Sequence, residues 1–379
     1  MTPESTKPSE TTRAGAESDN VGIINPAADL SMPSAGSGMS SPRLPSWGTW
    51  SVFIGVAIVL FVLLKVVGSA SIGLVVVGTV IISIAAIYIW SRIVEGRRKA
   101  FDRFITLAVF AAFALAMVPL VSLVETVISK GLARTDGEFY TTSMRGIIGD
   151  GGGALHAAIG TFIITGVATL ASVPIGILTA IYMHEYGKGR LKRALTFFVD
   201  VMTGIPSIVA GLFAFALFEI FLGPGARLGA MGSTALCVLM IPIVVRSTEE
   251  MLRIVPGHLR EASYALGVPK WRTITKVVLP TALAGIVTGV MLAVARVIGE
   301  TAPLLITTGT ISSINSDPFS GRMANLPVFI YSSYKYPGVP PEPYLQRAWA
   351  GALMLILIVM VLFGIARFIA SRYGTEIRR

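Results

Sequence analysis

The sequence predicts an all-helical membrane protein whose chain crosses the bilayer several times. Hydrophobic residues make up 53% of its 379 residues, and charged residues only 14%. The mean hydropathy is +0.74. The apolar residues also form long, nearly uninterrupted runs, which indicates spanning helices rather than one large soluble core.

Eight apolar runs are long enough to cross a bilayer, which takes about 20 residues in a helix. Only Gly68-Ser69-Ala70 separates the first two runs, so these are predicted to form a tight hairpin. The predicted spans are Trp50–Val67, Ser71–Trp90, Phe104–Ile128, Leu155–Met183, Leu195–Leu222, Ala230–Val245, Leu283–Thr307 and Ala348–Ala370.

Basic residues collect in every second connection, which predicts that those connections and both termini face the cytoplasm. This topology explains the net charge of +10 better than binding to nucleic acid does. The alternate connections, around residues 130–150, 223–228 and 308–343, are predicted to face outside. The cytoplasmic basic residues are Arg92, Arg97, Arg98, Lys99, Arg103, Lys188, Arg190, Lys192, Arg193, Arg253, Arg260, Lys270, Arg272, Lys276, Arg372, Arg378 and Arg379.

Residues 1–47 are rich in Ser, Thr, Pro, Gly and Ala and are predicted to be a disordered cytoplasmic tail. No apolar signal-peptide core follows Met1, so the first span is expected to direct insertion. Cys237 is the only cysteine, and three scattered histidines make a metal site improbable on composition. No nucleotide-binding phosphate loop, zinc-protease motif or serine-hydrolase elbow is present, and Gly151-Gly152-Gly153 is predicted to be a turn. Any nucleotide site must therefore lie on another chain.

The most structured polar segment, EASYALGVPKWRTITKVVLP, runs from Glu261 to Pro280 between two apolar runs. The helical spacing of Leu259, Ala262 and Leu266 predicts a first short helix with Glu261 near its start. Gly267 is suited to end that helix, because glycine readily adopts the left-handed conformation of a C-terminal cap.

A second short helix is predicted after this break. Pro269 suits its first turn, and Trp271, Ile274 and Val278 recur on one face. A solvated connector between two spans rarely has a helix cap, a second helix start and an exposed tryptophan. We therefore expect this segment to bind another protein.

The same segment resembles the EAA loop of ABC importer permeases, whose pattern is E-A-A-x-x-x-G, nine residues, then I-x-L-P. Here Glu261-Ala262-Ser263 precedes Gly267, and Val277-x-Leu279-Pro280 follows after nine residues. Ser263 and Val277 depart mildly from the family pattern. The resemblance implies that residues 256–280 form the coupling helix that inserts into a groove on a cytoplasmic ATPase.

Longer segments resemble the PstA-type permeases of bacterial phosphate importers. They are EYG at 185–187, IPSIVAGLF at 205–213, PIVVRSTEEML at 242–252, ARVIGETAPLL at 295–305 and ANLPV at 324–328. The resemblance implies a type I importer permease core of six spans within residues 93–379. It leaves residues 48–92 as an additional N-terminal two-helix hairpin.

Charged residues inside the apolar runs are candidate pathway residues. Arg296 lies in the seventh run, where a charge costs about 2.5–3.5 kcal/mol at the helix centre, and Glu300 is predicted to share its helix face. Arg246 closes the sixth run and is followed by Glu249 and Glu250. A guanidinium group donates parallel hydrogen bonds to phosphate, and nearby carboxylates would keep binding weak enough for release.

The resemblance associates Arg246, Glu249 and Arg296 with phosphate passage. Two structural alternatives remain open at this point. Arg246 could extend to the nearby membrane surface, and Arg296 with Glu300 could be a self-neutralising pair. Glu250 could be a solvated helix end. Gly285, Gly289 and Gly299 are expected to mark close helix packing.

The resemblance implies a non-catalytic permease subunit of an ATP-driven phosphate importer in the bacterial inner membrane, surrounded by lipid. The expected partners are a second homologous permease, a cytoplasmic ABC ATPase dimer that would hold ATP and Mg²⁺, and an extracellular phosphate-binding protein. No cofactor, metal or nucleic acid is expected on this chain. Three alternatives stay open: an importer of another oxyanion such as sulfate or molybdate, a membrane phosphate sensor, and a channel.

Overall fold

The computed structural model describes residues 46–66 and 72–373, and every regular element within them is a helix. The predicted N-terminal tail up to residue 45, the hairpin connection at 68–70, and Arg378 and Arg379 lie outside the described residues. The chain divides into two compact units, which meet in sequence at Ala116 and Met117. The all-helical fold class is confirmed.

The first unit begins with α1 (Ser46–Val66) and α2 (Ile72–Val94), which pack along each other and correspond to the first two predicted spans. The third helix, α3 (Arg97–Gly131), begins in this unit and runs past its end. It starts seven residues before the predicted third span.

The second unit is built around a long helix pair. After α4 (Gly137–Thr141), α5 (Leu155–Ile181) packs along α8 (Gly229–Ile254), and wide helical turns extend α5 to Tyr186. Their buried contact includes Ile164, Ala168, Leu236, Met240 and Val244. Because small and aliphatic residues recur along both helices, these can approach closely over most of their length.

The predicted fifth span, Leu195–Leu222, is wrong as a single helix. The structure has α6 (Gly189–Thr203) and α7 (Ser207–Leu222), which are bent by 109° relative to each other. Pro206 caps α7, and a proline cannot donate the backbone hydrogen bond that would continue α6 through this position. The sequence Gly204-Ile205-Pro206 therefore turns the chain inside an apolar run.

The predicted seventh span, Leu283–Thr307, is also wrong at both ends. The segments α10 (Lys270–Thr273), a stretch of wide turns (Ile274–Val278) and α11 (Leu279–Ile298) follow one another without interruption. The chain breaks after Ile298 and restarts as α12 (Ala302–Thr307). Pro303 in the first turn of α12 favours a new helix start over continuation.

The remaining helices are α9 (Gly257–Ala265), α13 (Leu326–Lys335) and α14 (Glu342–Tyr373). Of the helices in the described residues, six are long and apolar enough to cross a membrane, and α6 with α7 would make a seventh if the bent pair counts as one span. The apolar part of α1, Trp47–Leu63, is shorter. Eight spans were predicted, and the bent pair together with α1 accounts for the other two.

Candidate functional site

The predicted break in the polar segment is confirmed at Gly267. This residue has φ +72°, and its N–H donates to the carbonyl of Tyr264 at 2.9 Å. The N–H of Val268 donates to the carbonyl of Ser263 at 3.2 Å, so the last turn of α9 is capped by backbone groups. Because α9 begins at Gly257, Glu261 lies in the middle of the helix, and the prediction that it lies near the start is wrong.

Ser263 connects the two halves of the segment. Its hydroxyl lies 2.8 Å from the hydroxyl of Thr273 on α10, and both side chains are buried. An alanine, which the family pattern has at this position, cannot form that bond. The departure from the pattern therefore has a structural role, since it fixes the angle at which α9 meets α10.

The outer surface of this segment is unusually apolar for a polar connection. Tyr264, Leu266 and Trp271 are 41%, 82% and 58% exposed. Glu261 and Ala262 are also exposed, whereas Leu279 and Pro280 are half-buried at the start of α11. We call the side chains of Tyr264, Leu266 and Trp271 the exposed patch; exposed apolar and aromatic side chains beside a charged residue are typical of a protein-binding surface.

The prediction that Trp271 shares a face with Ile274 and Val278 is only partly correct. Ile274 and Val278 are buried, but Trp271 is exposed. The wide turns of residues 274–278 change the angular spacing of an ordinary helix, so the periodicity extrapolated from the sequence fails there. Trp271 is consequently free to contribute to the exposed patch.

Glu185 ties the polar segment to the end of the α5 extension. The Nε and Nη2 atoms of Arg260 on α9 donate to Glu185 Oε1 at 3.1 and 2.9 Å. Arg260 also donates to the carbonyls of Val255 and Leu252 at 2.8 and 3.0 Å. Lys270 donates to the backbone carbonyl of Glu185. This cluster joins the ends of α5, α8 and both short helices.

The sequence reasoning missed this cluster. Glu185 appeared there only as part of the EYG segment, and Arg260 only as one of many cytoplasmic basic residues. The position of Glu185 could have revealed it. A single carboxylate at the end of an apolar run is expected to be buried and therefore to need a basic partner such as Arg260. In the structure the Glu185 side chain is only 6% exposed.

Arg246 lies inside α8, eight residues before its last residue, rather than at the end of the span as predicted. Its Nη1 atom is 2.8 Å from Glu249 Oε2, so the predicted Arg–Glu contact is present. Its Nη2 atom also pairs with Asp200 on α6, a residue that the sequence reasoning did not select. The carboxylates of Glu249 and Asp200 therefore already neutralise this guanidinium. Glu250 is exposed.

Arg296 and Glu300 are arranged differently from the prediction. Arg296 lies in the last turn of α11, whereas Glu300 lies beyond the end of the helix at Ile298. The predicted shared helix face is therefore wrong, because the chain leaves the helix at Gly299. Arg296 is exposed, and no ion pair among the described residues involves it or Glu300.

Arg246 and Arg296 lie at different heights along the packed pair of α8 and α11. The α-carbon of Gly289 lies so close to Ser247 that an added Cβ would be 2.6 Å from the serine Cβ. Arg296 follows Gly289 by seven residues, or about 10 Å along α11, and Arg246 directly precedes Ser247. The structure therefore does not bring Arg246 and Arg296 into one contact network.

The expected close helix packing is confirmed at Gly285 and Gly289, which lie against Met251 and Ser247 of α8. It is wrong for Gly299, where nothing lies within 4 Å of an added Cβ. Glycine at the first two positions lets α11 approach α8 closely.

A buried arginine at the opposite end of the unit was also missed. Arg347 is 1% exposed and donates to the carbonyls of Gly149 and Gly151 at 2.6 and 2.9 Å. Its guanidinium also stacks on the ring of Tyr344, at 4.5 Å from the ring centre. These contacts hold the glycine turn that the sequence predicted before α5.

The apolar helices in the described residues define a multi-pass membrane protein, and the polar segment between α8 and α11 exposes apolar side chains. The family described as "Binding-protein-dependent transport system inner membrane component" matches residues 172–375, and the chain belongs to this family. That match contains the polar segment, Arg246 and Arg296.

Individual relatives extend the match toward the N-terminus. The chain is 46% identical to "Phosphate transport system permease protein PstA 1" of Mycobacterium tuberculosis (strain CDC 1551 / Oshkosh), over 73% of this chain and 91% of the relative. It is 46% identical to the PstA protein of Mycobacterium leprae (strain TN), over 74% and 93%. It is 38% identical to the PstA protein of Pasteurella multocida (strain Pm70), over 71% and 94%.

Among solved structures, an inward-facing form of the MetNI methionine ABC transporter is 20% identical, with a TM-score of 0.44. That alignment covers 57% of this chain and 93% of the other.

Proposed function

We propose that this chain is one of the two membrane subunits of an ATP-driven importer of inorganic phosphate. The observation that carries the proposal is the 46% identity with phosphate transport system permeases over nine-tenths of their length. The chain's own residues support the assignment, because it presents an arginine without an ion-pair partner near the end of a spanning helix and a docking surface near the start of that helix.

Arg296 is the stronger candidate for contact with phosphate. It is exposed and unpaired within the described residues, so its five N–H donors are available to an oxyanion. Arg246 would have to release Asp200 or Glu249 before it could bind phosphate fully. In this proposal the two arginines act in sequence, with Arg246 and Glu249 nearer the polar segment and Glu300 beside Arg296.

The coupling role falls to the polar segment. A cytoplasmic ABC ATPase dimer, which binds ATP and Mg²⁺, would contact Glu261, Ala262 and the exposed Leu266 and Trp271, while this chain itself carries out no hydrolysis. A second homologous permease would complete the pathway, and an extracellular phosphate-binding protein would dock at the opposite end. This arrangement places both termini in the cytoplasm, in agreement with the distribution of basic residues.

The test is uptake of labelled phosphate by the complete transporter reconstituted in vesicles. Arg296→Gln is expected to abolish uptake while the ATPase still co-purifies, because the amide lacks the charge and the fork of donors. Arg190→Gln, at an exposed position of α6, is the matched control and should transport normally. Normal uptake by Arg296→Gln at normal expression would refute the proposed route.

The same vesicles separate the alternatives. Preferential uptake of sulfate or molybdate would replace phosphate as the substrate, and uptake without an ATPase would indicate a channel. Gly267→Pro tests the sensor alternative in cells, because proline cannot adopt the positive φ of this position. Transport that survives this change, together with loss of phosphate-dependent gene control, would favour a sensor.

A further inference from the structure

The first compact unit contains an apolar cleft of about 810 Å³ between α1, α2 and the first part of α3. Its walls are mainly aromatic, aliphatic and alanine side chains, with a few threonines. Representative lining residues are Trp50, Phe53, Val80, Ile87, Phe110 and Ala114. Two of its three walls, α1 and α2, precede residues 172–375, the part of the chain that the family model matches, and the coupling and pathway residues described above do not include any of its lining.

The cleft lies next to the end of α3 that is held to α2. There, Arg103 pairs with Glu95 at 2.7 Å, and the rings of Tyr88 and Phe104 meet edge to face with centres 5.7 Å apart. Away from that end α3 makes no extensive backbone contact with α1 or α2, which pack against each other. The alanines on the inner side of α3 leave additional space.

The depth of the cleft matches one leaflet of a bilayer. On α3 its lining runs from Arg103 to Ala114, about 16 Å along the helix axis. On α1 it runs from Thr49 to Ala57, about 12 Å. The hydrocarbon core of a bilayer is about 30 Å thick, so the cleft spans about half of it, starting from the end that carries Arg103.

The same end of the unit carries a surplus of positive charge. Residues 92–103, which join α2 to α3, contain five basic and two acidic side chains, a net charge of +3. Glu95 is engaged by Arg103 and Ser91, whereas Arg92, Arg97 and Arg98 are exposed. Basic residues beside a membrane-spanning helix attract anionic lipid headgroups.

We propose that this cleft binds one anionic phospholipid of the adjacent leaflet. An acyl chain fills the apolar space between the three helices, and the headgroup phosphate lies at the end of the unit that carries Arg103, where the exposed Arg97 and Arg98 add to the positive charge that attracts it. Apolar burial supplies affinity for any phospholipid, since each buried methylene contributes, and the arginines supply the preference for negative charge.

The proposal is tested on the full-length chain, purified with its partner subunits and analysed by native mass spectrometry. The probes are phosphatidylglycerol and phosphatidylcholine with identical acyl chains. The wild-type chain is expected to retain one phosphatidylglycerol more tightly than phosphatidylcholine. Replacing Arg97 and Arg98 by Gln should reduce this preference by about fivefold per arginine and leave phosphatidylcholine binding unchanged.

Filling the cleft tests its apolar part. Ala111→Trp on α3 and, independently, Ala57→Phe on α1 should displace both lipids, because both alanines line the cleft. The exposed neighbour Ala112 is the matched control, and Ala112→Trp should retain lipid as the wild type does. Equal retention of the two lipids by the wild type, or full retention by both filled variants, would overturn the proposal.

Discussion

The ion pair between Glu185 and Arg260 should be the mechanical connection between the docking surface and the spanning helices. The perturbation is Glu185→Ala, Arg260→Ala and the double variant. In the structure the two side chains are only 6% and 17% exposed, and two nitrogen atoms of Arg260 donate to one carboxylate oxygen. Removing either partner therefore leaves a poorly solvated charge.

The magnitude follows from those contacts. Breaking a buried pair by removing one partner costs about 3–5 kcal/mol. Arg260 keeps two carbonyl acceptors and some solvent contact, so Glu185→Ala should cost less, about 2–3 kcal/mol. Arg260→Ala also removes the donors to Leu252 and Val255 and should cost more. Because the residues are in contact, the double variant should be less damaging than the sum of the two.

Two assays are needed. Thermal unfolding of the purified complex measures the stability loss, and vesicles with the complete transporter measure phosphate transported per ATP hydrolysed. We expect transporters that contain either single variant to move less phosphate per ATP hydrolysed, because α9 is no longer fixed to α5 and α8. Glu250→Ala removes an exposed carboxylate on α8 and is the control. Strictly additive stability losses together with an unchanged transport ratio would refute this reasoning.

Three further predictions concern the packing of the same helices. Gly267→Ala should lower stability by about 1–2 kcal/mol, because φ is +72° at this position even though there is space for the added Cβ. Gly257→Ala also has space but no positive φ, so this control should be neutral in thermal unfolding. Ser263→Ala should cost about 1 kcal/mol by removing the hydroxyl contact with Thr273, and adding Thr273→Val should cost little more. Gly289→Ala should lower stability by about 1–3 kcal/mol, because the added Cβ would lie 2.6 Å from Ser247. In the control, Gly299→Ala, nothing lies within 4 Å of the added Cβ. Equal unfolding temperatures of these two variants would contradict the assigned close packing.

The sequence was sufficient for the class of fold and the family. Apolar runs located every long helix, and the EAA-like segment predicted the break at Gly267 that the structure contains. These features are local, since they depend on hydropathy along the chain and on glycine at one backbone position. The resemblance to PstA-type permeases is confirmed by relatives that are 38–46% identical.

The errors arose where a single residue ends a helix inside a long apolar run, because hydropathy averaged over the run does not register that residue. Pro206 and Pro303 interrupt apolar runs that hydropathy alone treats as continuous. As a result, Glu300 was assigned to a helix face that ends before it. Asp200 was missed because its relevance depends on the 109° bend, which brings α6 beside α8 in a way that sequence spacing does not reveal.

The unbroken helical run from Lys270 to Ile298 has a dynamic consequence. It carries Trp271, part of the exposed patch, near one end and Arg296 near the other, about 38 Å apart. If this run rotates as a rigid body about its middle, a tilt of 10° displaces each end by about 3 Å. That is roughly the length of a hydrogen bond. A small movement imposed at the patch is therefore enough to make or break a contact at Arg296 without any local rearrangement around the arginine.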